Sequence, residues 1–330
     1  MLFDGFCSLA IILVYNVKYP KTEYSGSVMT RQLLASSTNF PSQLTLFNTA
    51  SINPPKYQLL KWIGNKQRFA SCIVSYFPNS YRHYYEPFLG SGAILATLAP
   101  KDGVGSDSFG PLIEIWNTLK KSPQVLVQWY TERWKKMARG DKVSAYEEIK
   151  ASYNAKPNGA DLLFLARACY GGVVRFRQAD GYMSTPCGIH SPIPPTSFIR
   201  RVNEWNQRIQ GTNFLQMEYE ESMSMARKGD LIYCDPPYSD SQSILYGAHS
   251  FSLECLFETI ERCKSRGVFV ALSIDGSKRS GRLTINLPIP SGLFEREVLI
   301  DVGRSMLKRF QMNGKSLEDE VVYDRLLLTY

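Results

Sequence analysis

The stretch LIYCDPPY at residues 231–238 decides the fold of this chain. Its first four residues are apolar or aromatic, which predicts a short buried strand. The prolines end that strand, because proline cannot donate to a β-ladder and restricts the residue before it. Asp235 and Tyr238 are therefore expected at the carboxyl end of a central strand, where open α/β sheets bind ligands. Asp235 offers hydrogen-bond acceptors, Tyr238 a stacking face, and the proline segment outward carbonyls. Such a site suits a planar group that carries an amino donor. The stretch alone also fits a purely structural strand and turn.

A second motif, EPFLGSGA at residues 86–93, predicts a strand, a glycine turn and an apolar helix. The glycines let the backbone approach a ligand closely, and the helix start offers unpaired amides. The motif is not a P-loop, since no Gly-Lys-Ser/Thr follows, and it lacks the third glycine of the dinucleotide fingerprint. Asp107 follows the next predicted strand, where an acid typically reads a ribose or adenosine edge. Capping a helix predicted at residues 109–120 is a second role open to it.

A third motif, LKWIGNK, lies upstream at residues 60–66. Its Gly-Asn pair marks a tight turn, which places Trp62 and Lys66 near each other. Apolar residues then follow at helical spacing until Pro78. A core tryptophan beside a surface lysine explains the motif equally well when it is taken alone.

Composition limits the classes of protein to which the chain can belong. The 330 residues allow one large domain or two ordinary ones, and the net charge of +8 favours a polyanionic partner. The seven cysteines and three histidines are scattered, which matches neither a zinc site nor a disulfide framework. Reduced thiols in a cytoplasmic protein are therefore expected, with no metal.

Residues 1–55 differ in composition from the rest and are interpreted as an accessory or weakly ordered extension. The apolar run at residues 6–17 is too short to span a bilayer as a helix. It also lacks the basic leading region of a secretory signal. Met29 lies upstream of every motif and is a plausible alternative start.

Residues 116–216 interrupt the alternation of strands and helices with aromatic and basic helices. The segment GGVVRFRQADGY at residues 171–182 then has two strand-like pieces around a polar turn, which predicts a β-hairpin. Arg167, Arg175 and Arg177 lie among aromatic residues there. Arginine reads guanine edges bidentately, and aromatic side chains stack on bases or wedge between them. A solvated basic hairpin is the alternative.

Two later segments also lack regular patterns. The polar stretch at residues 239–250 has the length of a functional lid. Residues 304–315, between two predicted terminal strands, carry four basic side chains that include Lys308. Contact with DNA explains this loop, and so does plain solubility.

Together these motifs resemble the Dam-type DNA adenine-N6 methyltransferases, in the motif order of the alpha group of amino-methyltransferases. The resemblance covers about residues 57–330. It implies a Rossmann-like α/β class I methyltransferase fold with a mixed, mostly parallel seven-stranded sheet whose last strand is antiparallel. The catalytic domain would comprise residues 56–115 and 217–330. An inserted, mainly helical target-recognition region with a β-hairpin would occupy residues 116–216.

The resemblance also implies a site for S-adenosylmethionine across the glycine turn. The residues expected around it are Trp62, Lys66, Glu86, Phe88, Gly90, Ser91, Gly92, Asp107 and Asp235. The expected catalytic residues are Asp235, Pro236, Pro237 and Tyr238. A flipped adenine would stack on Tyr238 and donate its amino hydrogens to the Asp235 carboxylate and the Pro236 carbonyl. Methyl transfer is then a direct displacement, without a metal or a covalent intermediate.

Double-stranded DNA is the implied partner, with Arg167, Arg175, Arg177 and Lys308 as the expected contacts. A monomer is expected in the cytoplasm of a bacterial or phage-infected cell. Two settings stay open: a restriction-modification system with a separately acting restriction endonuclease, and a solitary or phage methylase. The chain departs from the family pattern at Asn65, where a glycine is common, at Gly171, where asparagine is common, and in the motif around Asp107, SDS at residues 106–108. The GATC target of the best-known members is therefore not assigned to it.

Five alternatives are weighed at this point. Cytosine-N4 methylation uses a related motif in which serine more often replaces the aspartate. RNA and protein-glutamine methyltransferases usually begin it with asparagine. The dipeptide Pro186-Cys187 is similar to the nucleophile motif of cytosine-C5 methyltransferases, but it lies in the predicted recognition region. A DNA-binding regulator with an inactive site is disfavoured by the intact aspartate and glycines.

Overall fold

The structure is a computed structural model that describes residues 53–237, 251–275, 277–278, 283–284, 288–303 and 322–330. Most of the predicted N-terminal extension lies outside these residues, as do the apolar run at residues 6–17 and Met29. Tyr238 and Lys308 also lie outside the described residues, so their predicted roles stay predictions.

A seven-stranded mixed sheet forms the centre of the molecule, in the order β3-β2-β1-β4-β5-β9-β8. The strands of the described chain are β1 Tyr84–Glu86, β2 Gly103–Asp107, β3 Thr212–Gln216, β4 Leu231–Cys234, β5 Phe269–Asp275, β6 Ser277–Lys278, β7 Leu283–Thr284, β8 Arg296–Gly303 and β9 Val322–Leu328. Strands β1 to β5 are parallel, and β9 runs antiparallel to both of its neighbours. This arrangement confirms the predicted α/β class and sheet, while β6 and β7 form a separate two-stranded ribbon.

The helices surround this sheet and build the inserted region. They are α1 Ala70–Val74, α2 Ala93–Leu98, α3 Gly110–Lys121, α4 Pro123–Arg139, α5 Lys142–Ala155, α6 Gly159–Ala168, α7 Pro195–Arg208, α8 Tyr219–Met225 and α9 Leu253–Ser265. A 3₁₀ turn covers Tyr170–Gly172. Proline begins α4 and α7, in keeping with its preference for the first helical turn. In the part of the chain that the structure describes, no helix is long and apolar enough to cross a membrane.

Strand β4 forms where the sequence predicts it, and all four of its residues are buried. It lies between β1 and β5, with Leu231 opposite Tyr84 on one side and opposite Phe269 on the other. The chain therefore runs from β1 to β2 on one side of the sheet and returns to place β4 on the other. In α/β sheets such a reversal opens a crevice beyond the carboxyl ends of the two strands.

Helices α3 to α7 pack against one another beside the sheet. The aromatic residues Tyr130 and Phe198 stack between α4 and α7 with ring centroids 4.1 Å apart. Strand β3 falls inside the region assigned to target recognition, yet it pairs in parallel with β2 along its whole length. The chain therefore rejoins the sheet before residue 217. Sequence analysis did not predict this strand, because the alternation in TNFLQ is too short to identify one.

The predicted hairpin forms without regular strands. Phe176 and Met183 make a single antiparallel bridge, and the amide of Arg177 donates to the carbonyl of Tyr182 at 2.9 Å. The ring of Phe176 packs edge-on against Phe109, with centroids 5.6 Å apart. This contact fixes the hairpin relative to the end of β2 and the start of α3.

Candidate active site

Asp235 directly follows the last residue of β4 and faces a cavity of about 460 Å³. The cavity lies at the carboxyl ends of β1 and β4, where the order of the sheet reverses. Pro236 and Pro237 line the same cavity. The structure thus brings the acid and both prolines of the decisive stretch to one edge of the sheet, as the sequence predicts.

Lys66 is the charged partner of Asp235. Its Nζ lies 2.9 Å from Asp235 Oδ1 and 3.5 Å from Oδ2 of Asp324, on β9. Burial alone lowers the pKa of Lys66, but the two carboxylates outweigh it and raise that pKa above its ordinary value. The ammonium also lies 3.4 Å from the carbonyl of Gly64. Lys66 therefore holds the carboxylate at the end of β4, and Asp324 is a member of the site that sequence reasoning missed.

Glu86 ends β1 and is a second acid of the cavity. It is buried and accepts a hydrogen bond from the Tyr84 hydroxyl at 2.7 Å. Burial raises the pKa of Glu86 to about 8, with a further upward contribution from Asp235 and an opposing one from the Tyr84 hydrogen bond. An excess of acidic side chains in the lining favours a ligand with positive charge: one lysine, Lys66, stands against Glu86, Asp107, Glu218, Glu220 and Asp235.

The glycine turn follows β1 and leads into α2. Gly90 and Gly92 have φ values of +44° and +59°, which side chains rarely adopt. A Cβ at Gly90 would lie 3.2 Å from the ring of Trp62, so the indole packs directly on the turn. The indole of Trp116 donates to the carbonyl of Gly90 at 3.2 Å. Ser91 lies between the glycines and also lines the cavity.

Asp107 ties the glycine turn to the end of β2. Its Oδ2 accepts from the amide of Gly90 and its Oδ1 from the amide of Phe109, both at 3.1 Å. Burial raises the pKa of Asp107 to about 6, against the lowering effect of these two amides. Phe109 holds the N-cap position of α3, and no side chain caps that helix. The predicted N-cap role is therefore wrong, because Asp107 bonds the residue before the helix.

Aromatic side chains form the walls of the cavity. On one side Trp62 packs at an angle on Phe109, with centroids 6.3 Å apart. On the other, Phe88 stacks on Tyr219 at 5.1 Å, and Phe251 packs edge-on against Phe88. Phe109, Tyr219 and Phe251 were not predicted as site residues. The position of Tyr219, shortly after β3, identifies it as a site residue from sequence only when β3 itself has been predicted.

The arginines predicted to contact DNA have different environments. Arg175 and Arg177 are exposed on the hairpin, and Arg177 pairs with Asp180 at 2.6 Å. Arg167 instead turns inward and donates to the carbonyls of Gln58 and Leu59 at 3.2 and 2.7 Å. Its guanidinium is therefore engaged within the protein rather than presented on the hairpin.

The site as a whole is suited to a nucleoside-sized cationic ligand. Its volume lies within the range of small-molecule pockets, and its aromatic walls offer stacking surfaces. Within the described part of the chain, no group of three or more His, Cys, Asp or Glu side chains is placed to hold a metal ion.

Comparison with known proteins agrees with this geometry. A family model for the D12 class N6 adenine-specific DNA methyltransferases matches residues 62–282. A type II methyltransferase, M1.LlaDCHI from Lactococcus lactis subsp. cremoris, is 25% identical over 234 residues, which are 66% of this chain and 80% of the relative. A DNA adenine methylase from Vibrio cholerae is 26% identical over 237 residues, 68% of this chain and 83% of the relative. The retron Ec67 DNA adenine methylase of Escherichia coli is 27% identical over 192 residues, 56% of this chain and 65% of the relative. With more than half of its length matched by the family model, the chain belongs to the D12 class of N6 adenine-specific DNA methyltransferases.

Proposed function

We propose that this methyltransferase uses S-adenosylmethionine to methylate the N6 amino group of an adenine flipped out of double-stranded DNA at specific sites. The observation that carries the proposal is the Lys66-paired carboxylate of Asp235, which follows β4 and faces the cavity beside the glycine turn. An acceptor at that place suits an amino donor, and the rest of the cavity suits a nucleoside.

The residues present fit S-adenosylmethionine. The acidic side chains of the lining match its positive charge, the aromatic walls match its adenine, and the glycine turn allows close approach of the backbone. The residues proposed to hold it are Trp62, Glu86, Phe88, Gly90, Ser91, Gly92 and Asp107. When bound, this cofactor supplies an electrophilic methyl group. Lys66, predicted as a cofactor contact, is instead proposed to act through Asp235.

The chain's own groups do the remaining work on the target base. The adenine must leave the helix stack, because its amino nitrogen is inaccessible inside the duplex. The Asp235 carboxylate and the Pro236 carbonyl accept hydrogen bonds from the amino group, which draws its nitrogen towards tetrahedral geometry and exposes the lone pair. Lys66 orients the carboxylate through their ion pair. Catalysis then comes from positioning and from stabilisation of the positive charge that develops on the nitrogen. Tyr238 is proposed to stack on the base.

The hairpin is proposed to face the DNA. Arg175 and Arg177 are exposed on it, and Phe176 between them is anchored on Phe109. An arginine on a fixed backbone can read a guanine edge, because both donors of the bidentate pair arrive together. Lys308 belongs to the same proposal as a phosphate contact. We also propose that the protein acts as a monomer in the cytoplasm and that a restriction endonuclease acts separately from it.

A labelled methyl-transfer assay on methylation-free duplex DNA tests the function. Digestion to nucleosides should give N6-methyladenine, and long-read sequencing should place it at one recurring sequence. Asp102→Ala, an exposed acid at the opposite end of the strands, is the matched control for Asp235→Ala. Methylated cytosine at N4 would favour the alternative chemistry, and cofactor and DNA binding without transfer would indicate an inactive relative.

A further inference from the structure

A second cavity, of about 490 Å³, lies beside the start of the LKWIGNK motif and is lined by different residues from the active site. Its charged lining residues are Lys56, Lys61, Arg68 and Arg201, and we call it the basic cavity. No carboxylate lines it among the residues that the structure describes. Four cations around one opening repel each other unless an anion lies between them.

Two guanidinium groups converge on one carbonyl at this cavity. Arg201 donates to the carbonyl oxygen of Gln58 at 2.7 Å, and Arg167 donates to the same oxygen at 3.2 Å. Neither arginine forms a salt bridge with any residue of the described ranges. Burial, followed by the charge of Arg201, lowers the pKa of Arg167 to about 10, and burial also lowers the pKa of Arg201. A partly buried positive charge without a counter-charge is costly, so Arg201, which lines the basic cavity, points to an anion supplied from outside the protein.

One buried polar atom of the lining has no partner within the described chain. Gln67 lines the basic cavity and is only 7% exposed, and its Oε1 has no donor among the described residues. Buried polar atoms are normally satisfied by protein, water or ligand, and this acceptor requires a donor such as water. The indication of an anion therefore comes from the positive charges of the lining and not from this oxygen.

The position of the basic cavity indicates which anion binds there. The side chain of Lys61 packs against Gly172, where an added Cβ would lie 3.2 Å from Lys61 Cβ. Gly172 opens the segment that leads to Arg175. The basic cavity therefore adjoins the segment that leads into the hairpin proposed to face DNA, and Trp62, next to Lys61, lines the active site.

We propose that the basic cavity binds backbone phosphate of the same DNA duplex, beside the target base. This inference rests on the proposed function. Arg201 supplies a partly buried guanidinium that already stacks over the ring of Tyr57 at 5.0 Å, and guanidinium groups match phosphate geometry bidentately. Lys56 and Arg68, both exposed, extend the positive surface outward along the backbone. Such contacts position the duplex without reading its sequence.

The salt dependence of DNA affinity tests this inference. The double variant Lys56→Gln/Arg68→Gln removes two exposed charges of the basic cavity, and Arg201→Gln removes the central one. The matched control, Lys101→Gln/Lys228→Gln, removes two exposed charges at the opposite end of the strands. Full-length proteins are titrated with a duplex that contains the methylated sequence, at several salt concentrations.

Each phosphate contact that a substitution removes should make the slope of log K against log salt less steep by about 0.9. We expect this change in the double variant and in Arg201→Gln, with the slope of the control double variant close to that of the original chain. The loss of affinity should be similar for duplexes of any sequence. Equal slopes in the double variant and its control would overturn the inference, even where the original chain methylates DNA. A chain that binds no duplex at all would instead contradict the proposed function.

Discussion

The ammonium of Lys66 lies 2.9 Å from Oδ1 of Asp235, so the LKWIGNK motif directly supports the acid of the catalytic stretch. The Lys66 side chain is 5% exposed and that of Asp235 is 19% exposed, so water screens the pair only weakly. The two motifs are far apart in sequence and meet where both line the cavity at the carboxyl ends of β1 and β4. The lysine therefore has an electrostatic role towards the residue that we propose as catalytic.

Replacing Lys66 with methionine tests that role. Methionine keeps the apolar volume and removes the charge, so Asp235 loses the cation that favours its ionised form. The single-turnover rate should fall by about 10–100-fold, at the lower end of losses for preorganised electrostatic contacts. The acid limb of the rate–pH profile should move to higher pH. A slower rate with an unmoved acid limb would indicate a purely structural lysine.

Oδ2 of Asp324, a residue of β9, lies 3.5 Å from the same Lys66 ammonium. Asp324→Asn should hold Lys66 less firmly beside Asp235, and we expect a smaller rate loss of about 3–10-fold, below the range for a direct contact. The informative measurement is a double-mutant cycle with Lys66→Met. If Asp324 acts through the lysine, its substitution has little further effect once the lysine is gone. Additive losses would assign it a separate role.

Glu86 should make binding of the proposed cofactor depend on pH. Its pKa in the ligand-free protein is about 8, against 4.5 for an ordinary glutamate. A cationic ligand favours the ionised form of Glu86, so its binding below pH 8 releases the proton of that carboxyl group. Cofactor affinity should therefore rise from pH 6 to 8, by up to about tenfold per pH unit. Titration calorimetry in buffers of different ionisation enthalpy measures both quantities. Glu86→Gln should remove this component and leave the titration of the cofactor itself.

The raised pKa of Glu86 affects the stability of the ligand-free protein in the opposite direction: the free energy of unfolding should fall as the pH rises. A carboxyl group with a raised folded-state pKa contributes most stability below its unfolded pKa and loses it as the pH rises towards 8. Chemical denaturation of the ligand-free chain between pH 5 and 8.5 should therefore show a downward contribution that Glu86→Gln lacks. If the free energy of unfolding varied with pH in the same way in the wild-type protein and in the variant, the raised pKa of Glu86 would be contradicted.

Arg175 and Arg177 allow a matched test of sequence readout. Both are exposed, but Arg177 is already held by Asp180 and lies over the ring of Tyr182 at 4.2 Å. Arg175→Ala should cost about 1–3 kcal/mol of discrimination at one base pair. Arg177→Ala should change discrimination less. Affinities for duplexes with single substitutions in the target measure this, and an equal loss for every sequence would make Arg175 a phosphate contact.

Local sequence patterns predicted the parts of the site that follow strands. Asp235 and the glycine turn were predictable because proline and glycine end strands in specific ways. Asp324 was not, because its contact with Lys66 depends on the position of an antiparallel strand from the far end of the chain. The inward turn of Arg167 likewise depends on carbonyls of a distant segment. Pattern reasoning identifies which residues end elements, whereas long-range pairing decides which of them meet.

Asp235 itself provides the sharpest test of the mechanism. In the proposed mechanism its carboxylate acts as positive charge develops on the amino nitrogen, so Asp235→Ala should lower methyl transfer by at least about 10²–10³-fold. DNA affinity should change little, because phosphate and hairpin contacts lie elsewhere. Asp235→Asn keeps one acceptor oxygen but loses the charge and its pairing with Lys66, so it should be slow rather than inactive. Single-turnover kinetics at saturating cofactor separates slower chemistry from weaker binding. A near-normal single-turnover rate for Asp235→Ala would make the carboxylate structural and remove the basis of the proposed mechanism.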